Sequence, residues 1–158
     1  MKKLSIQLIL ACLFLTFCFC SHPDPAVEKA EIRKVIDSSI GWALNKDKER
    51  LYNSLAQDST FFIFHPDSTS TIFGFESFRE LVENFFMNEN FRATGYEIKD
   101  LHIDLAQSGQ TAWFRALLDD LGEWRGRPTI WHNVRWTGVL EKRAGKWLIV
   151  QMHFSHAK

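Results

Sequence analysis

The stretch Arg135–Ser155, RWTGVLEKRAGKWLIVQMHFS, decides the fold because it contains two strand-like runs around a short turn. Arg143, Ala144 and Gly145 form that turn, and a three-residue loop ending in glycine is a standard hairpin connection. The pattern predicts antiparallel strands over residues 129–142 and 146–156. The chain therefore ends in a β-hairpin whose two faces can be compared.

The register of this hairpin predicts which side chains face the core. A three-residue loop would pair Lys142 with Lys146 and then Val139 with Ile149. The entirely apolar set of alternate residues on the last strand should face inward, because strand side chains alternate between two faces. This set and its expected inward partners are Leu148, Val150, Met152 and Phe154, with His132, Val134, Trp136, Gly138 and Leu140.

The opposite face of the hairpin is regular and semi-polar. It carries Asn133, Arg135, Thr137, Gln151, His153 and Ser155. A sheet face of this composition often packs on a second subunit, so we predict a homodimer through the outer sheet face. This placement also argues against a catalytic role for the pair His153 and Ser155.

The segments before the hairpin begin with helices and continue as strands. The expected order is a helix over 27–44, a short helix begun by Asp47, a strand over 60–65 halted by Pro66, a helix opened by Gly74, and strands near 91–106 and 110–121. These assignments rest on apolar spacing, on capping residues and on turn residues. Helices first and an antiparallel meander last are typical of the α+β class.

Residues 1–20 have the three-part layout of an export signal. Lys2 and Lys3 precede an uncharged apolar run that ends at Cys20. All three cysteines lie in this run, so the mature domain has no internal disulfide. We predict a bacterial lipoprotein lipidated at Cys20, with a tether over 21–26 and a location at the cell envelope. Ordinary cleavage after Cys20, giving a periplasmic or secreted protein, stays open, as does an uncleaved anchor.

The composition indicates one globular domain with many aromatic rings to bury. The chain has 158 residues, 14% of them aromatic, with 14 Phe and 6 Trp. Without Lys2 and Lys3, the chain has 17 basic and 19 acidic residues. The basic residues do not cluster in the sequence, which argues against a nucleic-acid partner. There is no phosphate loop, and no close ligand spacing beyond His153-x-x-His156. We therefore expect neither a metal nor a cofactor.

The order of elements and the closing motif resemble the nuclear-transport-factor-2-like superfamily. Arg135-x-Thr, Gly145-x-Trp and His153-x-Ser look like its SnoaL-like branch, and the resemblance covers residues 27–156. The resemblance implies a cone-shaped, curled antiparallel sheet wrapped around a long N-terminal helix with two further helices, and a pocket at the open end. The superfamily includes ketosteroid isomerases, polyketide cyclases, dehydratases and the association domain of a calmodulin-dependent kinase.

His65 is the candidate catalytic residue that follows from this resemblance. It precedes Pro66 at the end of the first strand, where isomerase-like members hold their carboxylate base. A histidine there can also move protons, because its ordinary pKa lies near neutrality. The alternative is a strand-end histidine bonded to the backbone. The isomerase's hydroxyl donor would fall near Ser39, which is not a tyrosine and speaks against isomerase activity itself.

A second group of candidates lies on the strands that follow. Trp113, Arg115 and Asp119 share one face of a strand, and His132 and Trp136 lie on the next. If this face is inward, its charges must pair or meet a ligand, since burying an unpaired charge is costly. We predict that the five residues bind a ligand, and a structural Arg–Asp ion pair is the alternative. The resemblance implies that Asp119 occupies the position at which the kinase association domain has an arginine facing its pocket.

Three functions follow as hypotheses. The first is an envelope-tethered domain that binds a small apolar or amphipathic molecule in the cone pocket. The second is a cofactor-independent isomerase, cyclase or dehydratase, with His65 as base and Arg115 or His132 polarising an oxygen. The third is a dimerising scaffold whose pocket is filled by its own side chains. The position of His65 and the wetness of the pocket separate the first two, and a His65 that points to solvent would rule out the enzyme.

Overall fold

The computed structural model describes residues 24–156. The predicted export signal, the lipidation site at Cys20 and residues 21–23 of the predicted tether lie outside the described residues and stay predictions. The last three residues of the predicted tether, 24–26, instead cap and begin the first helix. Within residues 24–156, no helix is long and apolar enough to cross a membrane.

The long first helix, α1 (Pro25–Gly41), begins at a well-formed cap. The Asp24 side chain accepts a hydrogen bond from the backbone N–H of Ala26 at 2.8 Å. Pro25 suits the first helical position because an N–H there would have no partner within the helix. Ile32 and Ile36 are fully buried, so α1 presents its apolar stripe to the core.

Two shorter helices complete the helical part. A 3₁₀ turn (Trp42–Leu44) extends α1, and α2 (Lys48–Tyr52) follows. As predicted, Asp47 caps α2, and its carboxylate accepts a hydrogen bond from the backbone N–H of Arg50. Helix α3 (Phe75–Leu81) begins after Gly74, whose φ of 80° is in the region that favours glycine. A π-helical turn (Val82–Phe86) continues α3.

Six strands form one sheet in the order β2-β1-β6-β5-β4-β3. Their bounds are β1 (Phe62–Phe64), β2 (Ile72–Phe73), β3 (Phe91–Leu105), β4 (Thr111–Trp124), β5 (Arg127–Arg143) and β6 (Lys146–Ser155). All neighbours are antiparallel except β1 and β6, which run parallel. The sheet curls around α1, and the α+β cone predicted from the sequence is confirmed.

The register predicted for the last hairpin is wrong. The turn has two residues, Ala144 and Gly145, with φ of 48° and 80°. Both values are positive, as in the two-residue hairpin turns whose geometry matches the twist of the strands. Arg143 rather than Lys142 therefore pairs with Lys146. Trp147 is consequently buried on the inner face, and Leu148 lies on the outer face.

A bulge at Val150 restores the predicted facing farther along β6. The register shifts between Val139 and Leu140, so β6 gains one residue relative to β5. Met152 and Phe154 are buried on the inner face, as the sequence predicted. The error in the turn and the extra residue in the bulge therefore compensate in facing but not in pairing, and Val139 pairs with Gln151 rather than with the predicted Ile149.

A second bulge, in β5, overturns the predicted position of His132. Leu118 pairs with Val134 and Asp120 with Trp131, so two residues of β5 stand opposite Asp119 alone. Trp131 and Val134 both face inward as a result, and His132 lies exposed outside.

The core lies between the inner face of the sheet and the three helices. Gly138 is buried on β5 directly beneath the Phe114 ring, and a Cβ at this position would lie 2.7 Å from the Gln151 carbonyl oxygen. Trp136 is fully buried, with its ring centroid 4.9 Å from that of Phe114. The centre of the domain is thus filled with side chains.

Candidate functional site

A cavity of about 580 Å³ opens between the inner sheet face and the helices. This volume is within the range of small-molecule sites. Its walls come from the end of α1, the π-helical turn, the loop between β1 and β2, and the inner faces of β4, β5 and β6. The residues that give it its chemistry are Ser39, Trp42, His65, Phe85, Phe86, Phe91, Asp120, Thr129, Trp131 and Phe154.

Aromatic rings line one side of the cavity. The centroid of the Phe86 ring lies 5.7 Å from that of Trp42 and 5.1 Å from that of Phe91, both edge-on. Phe85 stacks on Trp124 with centroids 4.9 Å apart and an interplanar angle of 5°. Phe85 and Phe86 both belong to the π-helical turn, a backbone irregularity that often occurs at functional sites. The turn brings two adjacent rings to this part of the wall.

His65 faces the cavity from the end of β1. Its ring stacks on Phe154 with centroids 5.6 Å apart and meets Trp131 edge-on at 6.1 Å. The Nε2 atom is buried and has no hydrogen-bond partner among the described residues. Burial lowers the pKa of His65, so the imidazole is neutral at neutral pH. His65 is therefore a neutral imidazole in the cavity wall, with an Nε2 atom that neighbouring atoms cover.

Asp120 is the second ionisable side chain of the cavity. It sits on the inner face of β4, between Tyr96 of β3 and Trp131 of β5. Burial raises the pKa of Asp120 to about 6, because the charged form is poorly solvated there. No hydrogen bond or ion pair to its carboxyl is found within the described part of the chain. Asp120 was missed by sequence reasoning, although it continues the apolar alternation of β4.

Four of the predicted ligand-binding residues lie on the opposite face of the sheet. Trp113 is 47% exposed, and Arg115 and His132 are also exposed. Asp119 does not pair with Arg115 but with Lys99, at 2.7 Å. None of these side chains lines the cavity, because the even-numbered residues of β4 face inward and the bulge in β5 turns His132 outward.

Asp119 instead stabilises the bulge. Its carboxylate accepts a hydrogen bond from the backbone N–H of Asn133 at 2.8 Å, and His132 Nδ1 lies 3.3 Å from the other oxygen. These bonds and the Lys99 ion pair lower the pKa of Asp119 to about 2, with Lys99 the largest cause. The neighbours Asp119 and Asp120 thus have opposite surroundings on opposite faces.

Trp136 does face inward as predicted, but it belongs to the core. Its ring stacks on Phe154 with centroids 5.6 Å apart, and it is not part of the cavity wall. Ser39 lines the cavity, and its hydroxyl donates to the backbone oxygen of Ile36. Among residues 24–156, no group of three or more His, Cys, Asp or Glu could hold a metal ion.

Solved structures share this fold at low sequence identity. A proposed scytalone dehydratase from Novosphingobium aromaticivorans is 15% identical with a TM-score of 0.70, covering 84% of this chain and 91% of that one. A proposed calmodulin-dependent kinase II association domain from Exiguobacterium sibiricum is 8% identical, with a TM-score of 0.69 and coverage of 85% and 97%. A nuclear-transport-factor-2-like protein of unknown function from Prochlorococcus is 18% identical, with a TM-score of 0.65 and coverage of 82% and 93%.

These likenesses show the fold alone. No curated protein matches the chain significantly. The model of the SnoaL-like domain family matches residues 32–158, which include nearly every element of the cone. The chain belongs to the SnoaL-like family of the nuclear-transport-factor-2-like superfamily.

Proposed function

We propose that this domain binds a small, largely apolar molecule in the cavity beside His65 and Asp120. The observation that carries the proposal is an aromatic cavity with two ionisable side chains, neither of which has a hydrogen-bond or ion-pair partner within residues 24–156. Polar groups in such surroundings cost free energy unless something bonds to them. A ligand that fills the cavity and bonds to these groups removes that cost.

The shape of the cavity supports a ligand rather than a vestigial pocket. Its own aromatic side chains leave about 580 Å³ open, which argues against the scaffold hypothesis with a filled pocket. The wall is mostly ring and aliphatic carbon, so a flat or branched apolar body gains burial there. The few polar groups then orient the ligand.

A matched pair of tryptophan variants tests this proposal. Thr129 and Thr137 lie on the same strand, but only Thr129 lines the cavity, and both are exposed. The fluorescence of the neutral probe N-phenyl-1-naphthylamine should rise on binding with one site per chain. Thr129→Trp should weaken binding about tenfold by occupying the cavity mouth, which corresponds to about 1.4 kcal/mol. If Thr137→Trp weakens binding equally, or if the wild type shows no saturable site, the proposal is wrong.

We propose acid–base catalysis without a cofactor as a second candidate function. The His65 ring contacts Trp131, and Asp120 pairs with Trp131 on the neighbouring strand. Burial lowers the pKa of His65 and raises that of Asp120, so the two pKa values lie closer together than in water. A neutral imidazole can accept a proton, and a carboxyl whose pKa is about 6 exchanges one readily near neutrality. In this candidate, neutral His65 takes a proton from the substrate, and Asp120 holds or returns one.

A generic carbon acid tests for such a base without knowledge of the substrate. With 5-nitrobenzisoxazole, the base removes the C3 proton, the N–O bond breaks, and a coloured cyanonitrophenolate forms. The wild type should accelerate this reaction, and His65→Gln should lower the rate at least about tenfold. His153→Gln, an exposed histidine on the outer face, is the control and should leave the rate unchanged. Equal rates for wild type and His65→Gln would remove the catalytic candidate.

We also propose that two copies pair through the outer sheet face. Cross-strand pairing places a row that is apolar except for Gln151 across this face, and Phe73 and Trp113 at its two ends are 68% and 47% exposed. The row consists of Phe73, Phe62, Gln151, Val139 and Trp113, each beside the next on the neighbouring strand. An exposed row of this kind is typical of an interface.

A charge in the middle of this row should break the dimer. Val139→Lys is expected to convert a dimer into a monomer in analytical ultracentrifugation, because an unpaired ammonium would be buried in the contact. Ala144→Lys, in the exposed hairpin turn, is the control and should leave the dimer intact. A wild-type protein that is monomeric at high micromolar concentration would contradict the proposal.

A further inference from the structure

We propose that the ligand of this cavity carries a positively charged nitrogen, held by the Asp120 carboxylate within a box of aromatic rings. This inference rests on the proposed binding function and narrows it to one class of molecule. It starts from the charges that line the cavity. Within the described part of the chain, Asp120 is the only acidic residue of the wall, and no lysine or arginine is part of it.

The missing counter-ion is the first argument. No described residue forms a hydrogen bond or ion pair with the Asp120 carboxyl, and burial is the one cause that shifts its pKa. A neutral apolar ligand would cover the carboxyl further and add to the cost of its charge. A ligand cation supplies the partner that the protein does not, and an anion would meet an uncompensated like charge.

The aromatic wall is the second argument. Trp131 lies directly across from Asp120 on the neighbouring strand, and its ring centroid is 5.5 Å from that of Phe154. Phe85, Phe86 and Phe91 line the same cavity. Aromatic faces attract ammonium groups and alkylated ammonium groups, most strongly where water is excluded. A carboxylate beside such rings can recognise an organic cation both by an ion pair and by the attraction between the cation and the ring faces.

The state of His65 fits the same ligand. Burial keeps its imidazole neutral, so it does not repel a cation. Among the described residues its buried Nε2 has no hydrogen-bond partner, so the ring carries no fixed contact that a ligand would have to break. The ligand is then an amphipathic amine or quaternary ammonium compound with an apolar body of one or two rings.

An isosteric pair of probes tests the charge alone. Benzyltrimethylammonium and neopentylbenzene have nearly the same shape, but only the first is charged, and phenylmethanesulfonate is an anion of similar size. Displacement of N-phenyl-1-naphthylamine should show the cation binding at least about tenfold more tightly than the neutral isostere. The anion should bind most weakly. This comparison uses the wild-type protein and needs no variant.

Two aspartate-to-asparagine substitutions on opposite faces of the sheet then assign the effect. Asp120→Asn should remove the preference for the cation, whereas Asp104→Asn, at an exposed outer-face position of β3 beside Trp113, should retain it. Equal or tighter binding of neopentylbenzene by the wild type would overturn this inference and leave the binding function standing. A cation preference that survives Asp120→Asn would overturn it as well. Failure of every probe, including the fluorescent one, would instead contradict the binding function itself.

Discussion

Replacing Lys142 with methionine is expected to lower the free energy of unfolding by about 3 kcal/mol at pH 7. Lys142 Nζ lies 2.6 Å from Oε1 of Glu28, which is 4% exposed near the start of α1. The indole N–H of Trp147 donates to the other carboxylate oxygen. Without Lys142 the Glu28 charge would stay buried with one hydrogen bond, and the contact between α1 and the last hairpin would weaken. Urea unfolding measures the loss.

The same contact predicts how this effect depends on pH. Chiefly through its bond with Lys142, the pKa of Glu28 in the folded chain is lowered from its ordinary value of 4.5. The stabilisation is therefore complete above that value and is lost as the pH falls below it. Lys48→Met breaks an exposed ion pair with Glu83 and is the control, with no measurable change expected. If both variants unfold at the same urea concentration as the wild type, the buried contact is not stabilising.

Replacing Asp120 with asparagine is expected to stabilise the protein by about 2 kcal/mol at pH 8. Burial raises the folded-state pKa of Asp120 from 3.8 to about 6, so the folded chain holds this proton more tightly than the unfolded chain. Stability is therefore lost as the pH rises from about 4 to about 6, and asparagine avoids that loss. The difference in melting temperature between variant and wild type should grow over this interval and then level off.

Asp119→Asn should have the opposite sign. Its carboxylate pairs with Lys99 and the Asn133 backbone, and its pKa is lowered to about 2. The stability that it contributes is present above 3.8 and is lost as the pH falls toward 2. Two adjacent carboxyl groups on one strand thus give opposite stability changes on the same substitution. A destabilised Asp120→Asn protein at pH 8 would contradict the position assigned to this side chain.

Much of the cone could be predicted because its pattern is local. Asp47 caps a helix, Pro66 follows a strand, and the apolar alternation of the last strand places Met152 and Phe154 inward. Each of these features depends on residues close together in the sequence. The resemblance of the closing motif then connected the elements into one fold.

The site was harder to predict because it depends on bulges. The bulge in β5 turns Trp131 into the cavity and His132 out of it, and nothing in the run Trp131-His132-Asn133 announces the extra residue. For β4 a signal was present. The even-numbered residues Ala112, Phe114, Ala116 and Leu118 are all apolar, which favours them as the inner face of the strand. The next even-numbered residue is Asp120, so the same alternation predicts that its side chain also faces inward. His65 could be placed because a strand ending at a proline fixes its position.

The central claim is that this domain binds its ligand on the inner face of the sheet, between His65 and Asp120. A ¹H–¹⁵N NMR titration with N-phenyl-1-naphthylamine tests it most directly, because every backbone amide reports separately. We predict saturable shifts for the amides of His65, Asp120 and Gly122, all in the cavity wall, with the amides of Arg115 and Thr137 unchanged. Shifts confined to the outer-face residues Arg115 and Thr137 would contradict the account.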